Sequence, residues 1–204
     1  MEEAVMFRSD GNHLEGLLHR QSEKGVIVTH PHPLYGGNMH NPVVHAILAA
    51  FRNNDFSTLR FNFRGVGKSQ GHHDYGAGEV ADARQALSFF SKQGIRQMVL
   101  AGYSFGAWVN ATIPSQETSA IEMILVSPPV ALMDFSAVSG IPSLKLVISG
   151  SRDDIAPVEP IRKMLPAWNA DAAFEIIRGA DHFYAGFTDK LTSLLHRHLN
   201  RSAT

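Results

Sequence analysis

The stretch that decides the fold is residues 97–106, Gln-Met-Val-Leu-Ala-Gly-Tyr-Ser-Phe-Gly. Residues 97–101 form a short apolar run typical of a buried strand, and residues 105–113 continue as an apolar segment with helical character. Between them stands a G-x-S-x-G pattern in a strand–turn–helix setting. A sharp turn at this point lifts the Ser104 hydroxyl clear of the strand, and the flanking glycines avoid backbone clashes. We therefore predict that Ser104 is a nucleophile.

Outward from this unit, short apolar runs alternate with longer helical segments. The other predicted strands are residues 25–29, 57–63, 121–126, 144–149 and 172–177, and the predicted helices are residues 42–53, 78–93, 105–113, 157–167 and 186–200. Asp10-Gly11, between residues 4–9 and 14–20, predicts an antiparallel hairpin before them. This pattern indicates an α/β protein: a mostly parallel, doubly wound sheet with an N-terminal antiparallel hairpin and helices on both faces, in one domain over residues 1–204.

The residues that follow each strand are the candidates for chemistry, because such sheets bind ligands beyond the carboxyl ends of their strands. Ser104 follows one strand, Asp153 and Asp154 follow the strand at 144–149, and His182 follows the strand at 172–177. A serine nucleophile needs a base, and the base needs an orienting acid, in the chain order serine, acid, histidine. His182 is the predicted base, and Asp153 or Asp154 is the acid.

These motifs resemble the α/β-hydrolase family, especially its small, dienelactone-hydrolase-like esterases, over about residues 13 to 200. In that family the loop after the penultimate strand reads G-x-x-D-x-x-x-P, which Gly150, Asp153 and Pro157 match. The resemblance therefore implies that Asp153 is the acid. The dienelactone hydrolases themselves use a cysteine nucleophile, and this chain contains no cysteine, so their substrate is not carried over.

The resemblance also implies an oxyanion hole, formed by two backbone N–H donors aimed at the carbonyl oxygen where charge develops. One donor is the residue after the nucleophile, Phe105. The other comes from the loop HPHPLYGG at residues 30–37, which resembles that of a subgroup of bacterial α/β-hydrolases. The prolines at 31 and 33 carry no N–H, so His32 is the first candidate and Leu34 or Tyr35 are the alternatives.

The mouth of the predicted site carries apolar side chains that suggest an acyl pocket, although core positions would have the same composition. The candidates are Leu34, Tyr35, Tyr103 and Phe183. Cap domains in this family usually follow the sixth strand, and here only residues 127–143 fill that gap. The resemblance therefore implies a hydrolase without a cap and with an open site.

Two motifs suggest rival sites. Residues 64–69, RGVGKS, end like a phosphate-binding P-loop, but Asn62 stands where that motif requires glycine. Eleven histidines, among them His30, His32 and the pair at 72–73, show no zinc-binding spacing. We therefore expect neither a cofactor nor a metal.

Charge and composition exclude other classes of partner. The formal net charge is −1, from 18 basic and 19 acidic residues, so no strong field attracts nucleic acid or an anionic membrane. The acidic N-terminus does not resemble a signal peptide, and no apolar run reaches membrane-spanning length. We expect a cytoplasmic monomer or homodimer that acts on a small-molecule acyl substrate.

Ser104, Asp153 and His182 together predict a serine hydrolase that cleaves a carboxylic ester, or a related acyl bond, through an acyl-enzyme intermediate. A serine peptidase or thioesterase of the same fold is one alternative. A non-catalytic binding module that keeps the fold is the other, and it should have lost at least one of the three groups.

Overall fold

The computed structural model describes residues 1–114 and 121–201, and the strands found there form one sheet. They are β1 (Glu3–Ser9), β2 (Asn12–His19), β3 (Lys24–Thr29), β4 (Ser57–Phe61), β5 (Gln97–Tyr103), β6 (Ile121–Val126), β7 (Leu144–Gly150) and β8 (Ala173–Ile177). The spatial order is β1-β2-β4-β3-β5-β6-β7-β8. β2 pairs antiparallel with β1 and with β4, and every other pair is parallel. The predicted sheet and its N-terminal hairpin are confirmed.

Five helices of the described residues cover the two faces of this sheet. They are α1 (Pro42–Arg52), α2 (Ala77–Lys92), α3 (Phe105–Ala111), α4 (Val158–Asn169) and α5 (Thr188–Arg201). One buried cluster lies between the sheet and α1 with α5, and includes Phe51 and Leu195. The other lies beneath α2, α3 and α4, and includes Phe90 and Trp168. α5 buries one apolar stripe, as the helical spacing of its leucines predicts, whereas α3 is buried on almost every side.

Most element boundaries differ from the sequence prediction by one or two residues, and two of these differences have a clear physical cause. β4 ends at Phe61 instead of residue 63, because the N–H of Phe63 turns away from the sheet and donates to Nε2 of His30 at 3.0 Å. α4 continues past the predicted end at residue 167 to Asn169, although it contains Pro166. Its last turn is held by Trp168, which is buried in the core.

The segment between β6 and β7 leaves the carboxyl edge of the sheet open. Residues 127–143 form turns and contain no helix, so no cap lies over the loops at that edge. Within the described part of the chain, no helix combines the length and the apolar character needed to cross a membrane.

Candidate active site

Ser104 occupies the tight turn between β5 and α3. Its φ of 55° and ψ of −121° are strained for a residue with a side chain. The flanking glycines permit the turn, because a Cβ on Gly102 would lie 2.5 Å from the carbonyl oxygen of Gly106. A Cβ on Gly106 would lie 2.5 Å from the carbonyl oxygen of Thr29. The chain therefore needs glycine at both positions to present Ser104 at the edge of the sheet.

Three side chains from three loops meet at this edge in one chain of hydrogen bonds. Ser104 Oγ lies 2.9 Å from Nε2 of His182, and Nδ1 of His182 lies 3.0 Å from both carboxylate oxygens of Asp153. All three residues are buried, with Ser104 the most exposed at 7%. Because a carboxylate only accepts hydrogen bonds, Nδ1 carries the imidazole proton, and Nε2 is left to accept the proton of the serine. The arrangement is able to deprotonate Ser104 as its oxygen attacks a substrate.

Asp153 is held in its ionised form by several donors. Oδ1 accepts the backbone N–H groups of residues 155 and 156 at 3.0 and 2.7 Å. Burial raises the pKa of this carboxyl, but hydrogen bonds from His182, from the backbone and from Ser127 outweigh burial and hold the pKa below its usual range. Asp154 is exposed. Of the two carboxylates left open by the strand pattern, the one that contacts His182 is Asp153.

Ser127 and Tyr184 support the site from behind, a role that sequence analysis gave to neither residue. Ser127 is fully buried at the end of β6, and its Oγ lies 2.8 Å from the hydroxyl of Tyr184. Ser127 also has a positive φ of 46°, which is uncommon for a residue other than glycine. Its position directly after a parallel strand is the same signal that selected Ser104 and Asp153.

The loop after β3 distinguishes among the three candidates for the second oxyanion donor. The N–H of Leu34 donates to Nδ1 of His32 at 3.2 Å, and the N–H of Tyr35 donates to the His32 carbonyl at 3.1 Å. Both alternatives are therefore engaged within the loop. Among the described residues, nothing accepts the backbone N–H of His32 or of Phe105. The rings of His32 and Phe105 pack with their centroids 4.7 Å apart, so the two residues that carry the predicted donors are in contact beside Ser104.

A cleft of about 630 Å³ opens over Ser104. Tyr35, Tyr103 and Phe183 line it, as the sequence predicts for an acyl pocket. Leu34 does not, which corrects that assignment, since it lines a neighbouring depression of about 320 Å³. The reason is local: residues 33–35 form a 3₁₀ turn, in which successive side chains point about 120° apart, so Leu34 and Tyr35 face different sides.

The far wall of the cleft comes from residues that sequence analysis did not assign. Pro129, Leu132 and Met133, from the segment between β6 and β7, line it together with Ile155. That segment has neither helical nor strand periodicity, so nothing in its pattern indicates which side chains face the site. No Asp, Glu, Lys or Arg is found among the described residues that line the cleft.

The motifs that suggested rival sites serve the fold. His30 is fully buried, and burial lowers its pKa to about 4, so its ring is neutral. Its Nδ1 donates to the carbonyl oxygen of Pro31 at 2.7 Å, and its Nε2 accepts the N–H of Phe63. Arg64, at the start of the RGVGKS loop, binds Asp82 through its backbone N–H and its guanidinium. Within the described ranges, no three His, Cys, Asp or Glu side chains are placed to hold a metal ion.

Comparison with known proteins places this geometry in context. Residues 21–145 match the family model described as serine aminopeptidase, S33. An uncharacterized protein of Rickettsia prowazekii is 33% identical over 183 residues, which cover 85% of this chain and 77% of the relative.

Two solved structures are similar over almost the whole chain. An alpha-beta serine hydrolase homologue from Coxiella burnetii is 33% identical, with a TM-score of 0.89 and coverage of 97% of both chains. A serine hydrolase from Xanthomonas campestris, described as having no lid, is 28% identical, with a TM-score of 0.89 and coverage of 98% of this chain and 94% of the other. Both neighbours share the α/β architecture of this chain.

Proposed function

This chain belongs to the α/β serine hydrolases of the serine aminopeptidase S33 family, and from that premise we propose that it hydrolyses carboxylic esters of neutral, apolar acyl groups. The observation that carries the proposal is the unbroken chain of hydrogen bonds from Ser104 through His182 to Asp153, beside two backbone N–H groups that no described residue accepts. A nucleophile, a base, an orienting acid and two oxyanion donors are all that acyl transfer by this route requires.

The reaction proceeds in two half-reactions. Ser104 Oγ attacks the ester carbonyl carbon while His182 Nε2 takes its proton, and the carbonyl oxygen becomes an oxyanion that accepts the N–H groups of His32 and Phe105. The tetrahedral intermediate collapses, the alkoxide leaves with the proton from His182, and an acyl-serine remains. Water then attacks the acyl carbon, His182 takes the water's proton and returns it to Ser104, and the carboxylic acid is released. Asp153 keeps the imidazole in the required tautomer throughout.

The lining of the cleft favours an ester over the free amino terminus of a peptide. An aminopeptidase has to hold the α-ammonium group of its substrate, and a buried cation needs an acidic partner. The described residues that line this cleft include no carboxylate. Asp153, the acid of the hydrogen-bonded chain, contacts the far nitrogen of His182 and does not line the cleft. Leu132, Met133, Ile155 and Phe183 instead offer apolar surface to a neutral acyl chain.

Two matched measurements test the proposal. The first is labelling by a fluorophosphonate probe, which reacts with activated serines: we expect labelling of the wild type, none of Ser104→Ala, and normal labelling of Ser91→Ala, a control at an exposed helix position. An unlabelled wild type with normal thermal unfolding would support a binding module and refute the hydrolase proposal.

The second measurement compares substrates. We expect p-nitrophenyl esters to be hydrolysed with kcat/KM rising as the acyl chain lengthens from acetate to octanoate, because each buried methylene contributes about 0.8 kcal/mol. Aminoacyl p-nitroanilides with a free α-amino group should be turned over at least about a hundredfold more slowly, because an amide is less reactive than an aryl ester and no carboxylate among the described lining residues offsets desolvation of the charge. Faster hydrolysis of the anilides than of the esters would establish an aminopeptidase and refute the ester proposal.

A further inference from the structure

Behind the His32 loop lies a second histidine–carboxylate pair that the triad does not use. His73 Nδ1 lies 2.9 Å from Oε1 of Glu79, a close contact without hydrogen-bond geometry, and the two side chains are 8% and 0% exposed. Glu79 also accepts the backbone N–H of Asp74 at 3.0 Å and of Gly76 at 2.8 Å. The same carboxylate therefore closes the start of α2 and contacts the His73 ring.

The His73 ring packs against both residues that carry the proposed oxyanion donors. Its centroid lies 5.0 Å from that of His32 and 5.6 Å from that of Phe105. Those two rings are themselves 4.7 Å apart, so the three rings are in mutual contact. In a closely packed cluster a tilt of one ring requires the other two to move, which restrains the backbone to which each is attached. His73 does not line the cleft and acts from behind it.

The electrostatics of the cluster agree with a fixed His32. Burial lowers the pKa of His32, and the nearby His73 lowers it further, against the opposing charge of Glu79. A neutral imidazole is what the contact with Leu34 requires, because Nδ1 of His32 accepts that N–H and must carry no proton. The loop that carries the donor is therefore held by its own hydrogen bond and by packing against the His73 ring.

We propose that Glu79 and His73 are positioning residues for the oxyanion hole: the Glu79 carboxylate restrains the His73 ring by direct contact, and His73 fixes the aim of the N–H groups of His32 and Phe105. The inference rests on the proposed function. Oxyanion donors act on charge that develops only in the transition state, so misaimed donors lower kcat and leave KM nearly unchanged.

The test compares His73→Ala and Glu79→Gln with Asp82→Asn, using the octanoate ester as substrate. Asp82 is a matched control because it is also fully buried on α2, but it binds Arg64 instead of the ring cluster. We expect kcat to fall about tenfold to hundredfold in the two test variants, with KM within about twofold of wild type. Affinity for an alkylboronic acid, which forms a tetrahedral adduct with the serine, should fall in parallel. Asp82→Asn should lower Tm and keep kcat.

A rescue variant separates the ring contact from general destabilisation. His73→Phe restores a ring against His32 and Phe105, and we expect it to recover part of the kcat lost in His73→Ala. If Glu79→Gln fails to fold because α2 loses its closing carboxylate, the two His73 variants decide the question.

Several results would overturn the inference. They are a wild-type kcat in His73→Ala, a rise in KM without a fall in kcat, or an equal loss of kcat in Asp82→Asn. An inactive wild type refutes the proposed function and this inference with it. If the wild type is active and His73→Ala has the same kcat, the inference alone is refuted.

Discussion

Asp153→Asn changes the acid of the hydrogen-bonded chain while the side chain keeps its shape. One oxygen of Asp153 accepts the N–H groups of residues 155 and 156, and both oxygens lie 3.0 Å from Nδ1 of His182. An asparagine places its single carbonyl oxygen on the two backbone donors, so its NH₂ group faces His182. Two donors cannot face each other, and the imidazole proton therefore moves from Nδ1 to Nε2.

The cost of that tautomer follows from the geometry at Ser104. With a proton on Nε2, the nitrogen 2.9 Å from Ser104 Oγ has no lone pair to accept the serine's proton. A wrong tautomer of this kind costs about 10⁴-fold in kcat, which is ~5.4 kcal/mol of activation free energy. The fold should persist, because the backbone donors keep their acceptor and the buried volume is unchanged. We expect Tm to change by less than about 5 °C.

Steady-state hydrolysis of a p-nitrophenyl ester, with thermal unfolding followed by circular dichroism, measures both quantities. Asp154→Asn is the matched control, since it removes the adjacent exposed carboxylate and should leave kcat within about twofold of wild type. If Asp153→Asn keeps more than a tenth of the wild-type kcat while folded, the tautomer argument is wrong. A large loss in Asp154→Asn would move the acid role to that residue.

Two further predictions concern stability. The pKa of His30 is about 4 in the folded protein, against 6.5 for an unperturbed histidine. As pH falls, the unfolded chain therefore binds this proton before the folded protein does. The free energy of unfolding should fall by about 3 kcal/mol as pH drops from 6.5 to 4. Urea unfolding at pH 7 and 4.5 should show a smaller pH effect in His30→Gln; equal effects in both chains would contradict this. Gly106→Ala, whose Cβ meets the Thr29 carbonyl, should lower unfolding free energy by about 2–3 kcal/mol. Gly140→Ala is the control, because a Cβ there meets open space at a φ of 58°, and it should lower the unfolding free energy by only about 1 kcal/mol. Equal losses in the two variants would show that the contact at Gly106 relaxes.

The positions of Ser104 and His182 were predictable from the sequence because the signals that locate them are local. Apolar runs of strand length fix where each parallel strand ends, and parallel strands bring their carboxyl ends to one edge. The residue that follows each strand is therefore placed to within a position or two, whatever the rest of the chain does. The turn glycines at 102 and 106 carry the same local information, since only glycine fits the close backbone contacts found there.

Local sequence patterns did not predict that Asp153, and not Asp154, contacts His182. Strand periodicity admitted Asp153 and Asp154 equally, and the family resemblance, not the pattern, separated them. The structure separates them physically, because the backbone N–H groups of residues 155 and 156 converge on one carboxylate and leave the other exposed. Which side chain a loop turns inward depends on hydrogen bonds made only after the loop closes.

The pattern of apolar runs was enough to predict the parallel α/β sheet and the edge at which the chemistry lies, and the family resemblance implied that no cap follows β6. Only the folded chain shows that no described residue accepts the N–H of His32 and that Leu34 lies outside the cleft. The same holds for the far wall of the cleft, which residues 129, 132 and 133 line. Tertiary structure also joined Glu79 and His73 to the oxyanion loop. The physical reason is that side chains along a strand or a helix change direction with a fixed period, so the spacing of apolar residues predicts which face is buried. Irregular loops have no period, and their side chains find partners only through the packing of segments far apart in the chain.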